Sequence, residues 1–225
     1  MCGRFTLTVS PDELRLAFPD FDIPGDLPPS YNIAPSQPIP VVPNEKKPAL
    51  TFFRWGLVPS WSKDEKFGGY NLINARAETV AEKPSFRSSF RRRRCLILAD
   101  GFYEWKKNPG ASKTPYFISL KDREPFGFAG LWDEWISPHG DPLRSACIIT
   151  TEPNPLVKPI HNRMPVILPR ESHQRWLQPG EGDPRALQAL LQPYPAHRMK
   201  AYPVSPYVNS PGNNSPRCIE PAGLL

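Results

Sequence analysis

Cysteine occupies the second position of the chain, directly behind the initiator methionine, in the order Met1-Cys2-Gly3-Arg4-Phe5. Removal of Met1 would leave Cys2 with a free α-amine beside its free thiol. The amine has an ordinary pKa of about 7.7–8.0, so part of it is unprotonated near neutral pH and can attack an aldehyde. The thiol can then add to the imine carbon and close a five-membered thiazolidine ring. Taken alone, the position also fits an ordinary cysteine in a first β-strand.

Length and composition predict a single domain over residues 1–225, with 206–225 as an irregular C-terminal tail. The chain carries a formal charge of +6, which suits a polyanionic partner such as nucleic acid. Its four cysteines include no CxxC pair and no zinc spacing, so we expect no disulfide framework and no structural metal. No cofactor is expected either. With no signal peptide and no membrane-spanning run, a cytoplasmic monomer is expected, nucleoid-associated if the source is a bacterium.

Strand-like patterns dominate the chain, and helices are few. Residues 2–9 alternate as a strand, and Ser10-Pro11-Asp12-Glu13 is typical of a helix start. Further strand-like runs lie at 50–55, 72–80, 95–105, 115–121, 126–132, 144–151 and 199–205. Helices are predicted near 170–178 and from Asp183 onward, whereas residues 19–48 form a long proline-punctuated stretch. The irregular order indicates an α+β fold built on antiparallel, barrel-like β-sheets with peripheral helices.

Four short segments carry polar residues where a strand pattern would place core residues. They are Cys2-Gly3-Arg4-Phe5, Ile73-Asn74-Ala75-Arg76-Ala77-Glu78-Thr79, Ala99-Asp100-Gly101-Phe102-Tyr103-Glu104-Trp105 and Ile160-His161-Asn162-Arg163-Met164-Pro165. In this order they resemble the SRAP (SOS-response-associated peptidase) family, and the resemblance extends from residue 2 to about residue 210. It implies a protein that senses abasic sites in single-stranded DNA and forms a thiazolidine crosslink through Cys2. The family name then refers to removal of Met1, by self-cleavage.

The resemblance also assigns catalytic roles. Cys2 is the nucleophile, and Asn74 holds the N-terminal residue and the sugar, since an amide both donates and accepts hydrogen bonds. Glu104 accepts and returns protons, and His161, with an ordinary pKa of about 6.5, donates a proton to the opening sugar ring or to the imine. From local sequence alone, Glu104 also fits a surface strand residue paired with a neighbouring lysine.

DNA contacts are implied for four further residues. Arg4, Arg76 and Arg163 match arginines of the family's DNA-facing motifs, and a guanidinium binds phosphate bidentately. Trp61 is a candidate for base stacking, although core packing fits its sequence context equally well. Glu78 is expected to pair with one of these arginines.

The run Arg91-Arg92-Arg93-Arg94 is the densest positive charge in the chain. It fits either a DNA-binding patch or the solvated end of a helix that leads into the Cys95 strand, and we favour the helix end.

Three alternatives remain from the residues themselves. An N-terminal-nucleophile amidohydrolase would use the Cys2 thiol against an amide, but the chain continues Arg4-Phe5 and contains no Asn-Gly pair. A thiol hydrolase would use Cys2 and His161 against peptides. A non-catalytic single-strand binder would not need Cys2 at all, so replacing Cys2 with alanine separates binding from chemistry.

Overall fold

The computed structural model describes residues 2–65, 72–110 and 112–223. Met1 and its predicted removal therefore lie outside the described residues, as do the last two residues of the tail. No helix among the described residues is long and apolar enough to cross a bilayer.

Thirteen strands are described. They are β1 (Phe5–Leu7), β2 (Ser30–Ile33), β3 (Pro38–Pro43), β4 (Thr51–Trp55), β5 (Asn74–Arg76), β6 (Arg94–Ala99), β7 (Gly101–Lys107), β8 (Lys113–Leu120), β9 (Phe126–Ile136), β10 (Pro142–Thr151), β11 (Met164–Pro165), β12 (Ile167–Leu168) and β13 (Met199–Pro203). The α-helices are α1 (Pro11–Ala17), α2 (Arg87–Arg92), α3 (His173–Trp176) and α4 (Pro184–Gln188). Short 3₁₀ turns join them, including Pro206–Asn209 and Pro216–Ile219 in the C-terminal tail.

The strands form a closed barrel and a second sheet, as the α+β prediction required. In the barrel, β10 pairs with β4, β4 with β3, β3 with β6, β6 with β9, and β9 again with β10. The second sheet has the order β13-β8-β7-β1-β2. Phe5 of β1 lies against Trp55 and Phe128 of the barrel, with ring centroids 5.1 and 5.9 Å away. The N-terminal strand is therefore the part of the second sheet that packs against the barrel at Phe5.

Helix α1 begins as its sequence predicts. The Ser10 side chain accepts a hydrogen bond from the Glu13 backbone N–H, and the Glu13 carboxylate accepts one from the Ser10 backbone N–H. This reciprocal capping box satisfies two donors that a helix start otherwise leaves unpaired.

The structure divides the predicted strand 95–105 into two. β6 ends at Ala99 in the barrel, and β7 starts at Gly101 in the second sheet. The buried Asp100 carboxylate accepts hydrogen bonds from the Thr6 hydroxyl at 2.5 Å and the Thr8 backbone N–H at 3.0 Å. A Cβ at Gly101 would lie 2.2 Å from the Phe117 ring, so only glycine fits where the chain changes sheets.

The proline-punctuated stretch 19–48 contains two strands that the sequence analysis did not identify. β2 forms the edge of the second sheet, and β3 is a barrel strand. β6 pairs with β3 only from Val41 onward, so Pro38 and Pro40 lie where β3 has β4 as its neighbour. Proline is tolerated there because it lacks an N–H for the ladder. Conversely, the predicted strand 72–80 is shortened to β5, and turns follow it.

Candidate active site

Three segments of the chain meet around Cys2. β5 brings Asn74, β7 brings Glu104, and the segment after β10 brings His161. β5 runs parallel to β10, with Asn74 opposite Ile148 and Arg76 opposite Thr150. β7 pairs with β1, with Phe102 opposite Phe5. The antiparallel β1–β7 pair and the parallel β5–β10 pair thus bring Asn74 and Glu104 to the N-terminal residue.

Asn74 holds the N-terminal residue directly. Its Nδ2 donates a 2.8 Å hydrogen bond to the carbonyl oxygen of Cys2. Its Oδ1 is buried and accepts no hydrogen bond from the described residues. Because buried polar atoms are almost always paired, this oxygen is available to a donor such as a sugar hydroxyl.

The Cys2 thiol is fully buried. Burial, with a further contribution from the Glu104 carboxylate, raises the pKa of this thiol well above its usual value. A thiol with so high a pKa stays protonated near neutral pH, so it is a poor first nucleophile. This environment favours the α-amine as the group that attacks an aldehyde first, and the thiol as the group that adds to the resulting imine.

Glu104 and His161 form a polar pair beside Cys2. Glu104 is 2% exposed, and burial raises the pKa of its carboxyl to about 7. Its Oε2 lies 3.9 Å from Nε2 of His161. A carboxyl that titrates near neutral pH can both take up and release a proton during one reaction. Glu104 is thus buried at the site, and the surface-strand alternative is wrong.

His161 is held by the backbone of its own loop. Its Nδ1 lies 3.1 Å from the Arg163 backbone nitrogen and 3.2 Å from the Arg163 carbonyl oxygen. In the tautomer whose Nδ1 accepts from the Arg163 N–H, the ring proton is on Nε2, which faces Glu104. Burial lowers the pKa of the imidazole, and the nearby positive charges of Lys107 and Arg163 lower it further. The ring is therefore mainly neutral near pH 7.

The three predicted arginines have different surroundings. Arg76 is exposed at the end of β5. Arg163 binds both carboxylate oxygens of Glu78, at 2.6 and 2.9 Å, and also donates to the Thr150 carbonyl oxygen at 2.6 Å. The predicted pairing of Glu78 with one of the arginines is confirmed. Arg4 is 9% exposed and donates to Asn32 Oδ1 at 2.7 Å and to the Val208 carbonyl oxygen at 2.9 Å.

Trp61 is 54% exposed, so the core-packing alternative is wrong for this residue. An exposed indole is suited to stacking on a base, and the stacking role stays a prediction.

The arginine run is distributed among different partners. Arg91 and Arg92 face Glu181, Arg93 pairs with the buried Asp133, and Arg94 is itself buried. Arg94 donates to backbone carbonyl oxygens of Trp176 and Gln178 at 2.8 and 2.7 Å. Arg91 and Arg92 thus end α2 at the surface, as the solvated helix-end interpretation expected. Arg94 departs from that interpretation, because it begins β6 and is buried against the backbone of α3 and the segment that follows it.

Asn32 and the C-terminal tail are the part of the site that sequence reasoning missed. Asn32 Nδ2 donates to carbonyl oxygens of Val208, Ser210 and Asn213, at 3.2, 3.0 and 2.6 Å. Trp105 Nε1 donates to Asn209 Oδ1 at 2.8 Å. The tail therefore fastens Asn32 of β2 and Arg4, which directly precedes β1. The segment Tyr31-Asn32-Ile33-Ala34-Pro35 is the sequence signal that could have identified Asn32.

The described residues contain no group of three or more His, Cys, Asp or Glu side chains that could hold a metal ion. Among the described residues, the polar side chains that meet at Cys2 include one amide, one carboxyl and one imidazole. They can orient a substrate and move protons.

Known proteins resemble this chain over most of its length. The family described as SOS response associated peptidase (SRAP) matches residues 1–211. Abasic site processing protein YoqW of Bacillus subtilis is 52% identical over 98% of this chain and 99% of its own, and YoaM of the same organism is 49% identical. Abasic site processing protein HMCES of Rattus norvegicus is 34% identical over 100% of this chain and 77% of its own.

The fold is also found among solved structures. A crystal structure of a protein from Bacteroides thetaiotaomicron superposes with a TM-score of 0.86 at 28% identity. The match covers 98% of this chain and 100% of that one.

Proposed function

Since the chain belongs to the SOS response associated peptidase family, we propose that it senses abasic sites in single-stranded DNA and crosslinks to them through Cys2. The YoqW and HMCES relatives are named for abasic site processing. The observation that carries the proposal is the hydrogen bond from Asn74 to the Cys2 carbonyl beside the Glu104–His161 pair. Once Met1 is removed, this contact would hold the aminothiol of Cys2 next to two proton-transfer groups.

In the proposed reaction, removal of Met1 frees the α-amine of Cys2. The abasic deoxyribose opens when its ring oxygen takes a proton and its C1 hydroxyl loses one, and this exposes an aldehyde. His161 Nε2 and Glu104 are placed to handle these protons. The Asn74 Oδ1 atom would accept a hydrogen bond from the sugar.

The amine then attacks the aldehyde carbon, and the Glu104 carboxylate takes the proton that the nitrogen releases. The carbinolamine loses its hydroxyl as water, with the proton returned by Glu104 or His161, and leaves an imine. The Cys2 thiol adds to the imine carbon, its proton passes to the nitrogen, and the thiazolidine ring closes. Aldehyde, amine and thiol thus give one thiazolidine and one water, with no oxidant and no cofactor.

The proposed partner is single-stranded DNA, and the protein acts as a monomer. Arg76 and Trp61 are exposed and suited to contact the strand. Arg163 would reach phosphate by sharing its guanidinium with Glu78. Arg4 is buried by Asn32 and the tail, so its main contribution would be to hold the N-terminal strand in place.

The proposal is tested by incubating the protein with a single-stranded oligonucleotide that contains one abasic site. We expect an adduct that survives denaturing electrophoresis with the wild type and is absent with Cys2→Ala. Cys2→Ser keeps the amine and should give only an imine-type adduct that reverses on heating. A wild-type protein that lacks Met1 and forms no adduct would contradict the proposal, and turnover of peptide or glutamine amides would then favour a thiol hydrolase.

A further inference from the structure

A cavity of 530 Å³ has Glu104 and His161 in its wall and is otherwise rich in lysines. The lysines are Lys106, Lys107, Lys113 and Lys158. Lys106 and Lys107 lie at the end of β7, Lys113 at the start of β8, and Lys158 in the segment that leads to His161. We call this cavity the lysine pocket. Three of its lysines are exposed, and Lys106 is half-buried.

The lysine pocket is rich in positive charge. Among the described residues, none of its four ammonium groups forms an ion pair with a carboxylate, in contrast to many of the arginines. The paired arginines include Arg91, Arg92, Arg93, Arg144 and Arg163. Glu104 reaches the pocket, but it is 2% exposed and titrates only near pH 7. The pocket therefore presents a concentrated positive potential to solvent.

The strand register adds to this repulsion. Lys107 and Lys113 are directly opposite each other in the antiparallel β7–β8 pair. Like charges at such positions destabilise a sheet, and an anion between them would remove that cost.

The lysine pocket does not include the arginine group, which consists of Arg76 and Arg163. Lys158 and Arg163 lie at the two ends of residues 158–163, and His161 lies between them. Arg163 and its partner Glu78 belong with Arg76, whose charge helps to lower the pKa of the Glu78 carboxyl. The lining of the lysine pocket includes His161 but not Arg76, Glu78 or Arg163. A strand whose reacting sugar lies at His161 would therefore meet the lysines of the pocket in addition to the arginine group.

We propose that the lysine pocket binds the phosphodiester backbone on one flank of the abasic site, while Arg76 and Arg163 serve the other flank. This inference rests on the proposed function for its ligand. It adds a second phosphate subsite whose lysines contact the strand without taking part in the crosslinking reaction. Lysine suits this task because it binds phosphate as a point charge on a flexible stem, without base preference.

The test uses the variant Lys107→Gln/Lys158→Gln and two short oligonucleotides. Both carry a tetrahydrofuran abasic analogue, which has no aldehyde, and one extends only 5′ of the analogue while the other extends only 3′. We expect the variant to lose at least about fivefold in affinity for one of the two at low salt. For that oligonucleotide, the log–log salt slope should flatten by about 1.4, since each single-strand phosphate contact contributes about 0.7.

The matched control is Lys46→Gln/Lys47→Gln, which removes the same charge at two exposed lysines between β3 and β4. It should bind both oligonucleotides like the wild type, and Lys107→Arg/Lys158→Arg should restore binding to the pocket variant. The inference is overturned if the pocket variant matches the control, or if it weakens both oligonucleotides equally. Adduct formation by the wild type with a true abasic site is measured in a separate experiment. Its absence would contradict the proposed function, whereas unchanged binding of the analogue by the pocket variant would contradict only the lysine pocket.

Discussion

Glu104 has a pKa near the pH at which the proposed reaction must run. Burial raises its carboxyl pKa to about 7, so the carboxylate that accepts the amine proton becomes populated only as the pH rises through that value. The crosslinking rate should therefore rise between about pH 6 and pH 8. In Glu104→Gln the rate should fall by about 10²–10⁴-fold. The variant should keep only the inflection of the α-amine near pH 8, which is measured by single-turnover adduct formation across pH.

The same burial has a consequence for stability that serves as a folding control. The folded-state pKa of Glu104 is raised, so the folded protein binds more protons than the unfolded chain between about pH 4.3 and pH 7. Stability is therefore lost as pH rises through this window. Glu104→Gln should be more stable than the wild type by about 1–3 kcal/mol at pH 8 and equal to it near pH 4. Lower stability at pH 8 would show that the carboxylate is needed for the fold.

At the scale of elements, Glu78 and Arg163 join the turn after β5 to the loop that carries His161. Their bidentate contact is supported by the Arg163 hydrogen bond to the Thr150 carbonyl oxygen. Glu78→Gln weakens this contact and removes a carboxylate that competes with phosphate for Arg163. We expect tighter binding to single-stranded DNA but a slower crosslinking step, because the His161 loop is held less firmly.

Measuring DNA affinity and crosslinking rate separately distinguishes a role of Glu78 in positioning the His161 loop from a general loss of fold. Affinity is measured with the tetrahydrofuran analogue and the rate with a true abasic site. Glu181→Gln, which removes a carboxylate that faces Arg91 and Arg92, is the matched control and should change neither by more than about twofold. Equal losses of affinity and rate in Glu78→Gln would contradict the positioning role.

The C-terminal tail acts on the N-terminal strand through Asn32. Its amide donates to three tail carbonyls and accepts from Arg4, so Asn32→Ala leaves several buried groups unpaired. Unfolding by urea should show a loss of about 2–4 kcal/mol. Asn108→Ala, at the partly exposed β7–β8 turn, should lose about 1 kcal/mol or less. Equal effects of the two substitutions would mean that the tail does not hold the strand.

Local chemistry was predictable from sequence, and long-range pairing was not. The Ser10–Glu13 capping box is complete within four residues, so the start of α1 follows from sequence. β3 was missed because prolines argue against a central strand, and only the long-range pairing shows that Pro38 and Pro40 precede the part of β3 that pairs with β6. The Asn74 contact to Cys2 followed from the family resemblance, whereas Asn32 acquires its partners only when the tail folds back onto β2. The lysine pocket requires β7, β8 and the His161 segment to meet, which no local pattern records.

At the scale of the molecule, net charge should govern DNA binding. The formal charge is +6, and phosphate contacts release counterions from the strand. Affinity for the analogue should therefore fall steeply with salt, with a log–log slope of at least about −1.4 for two phosphate contacts. Arg76→Gln should flatten this slope by about 0.7 relative to the wild type. A salt-independent affinity would contradict the assignment of Arg76 and Arg163 to phosphate.

The measurement that tests the central claim most directly is the intact mass of the wild-type adduct with an abasic oligonucleotide, after cyanoborohydride and after iodoacetamide. The account predicts a chain without Met1 joined to the oligonucleotide with loss of one water. The nitrogen and the sulfur of Cys2 are both in the thiazolidine ring of this adduct. Cyanoborohydride therefore adds no hydrogen to it, and iodoacetamide does not alkylate Cys2. An adduct that is reduced and alkylated at Cys2 would be an open imine and would contradict ring closure by the thiol. A chain that keeps Met1 in the adduct would contradict the aminothiol mechanism itself.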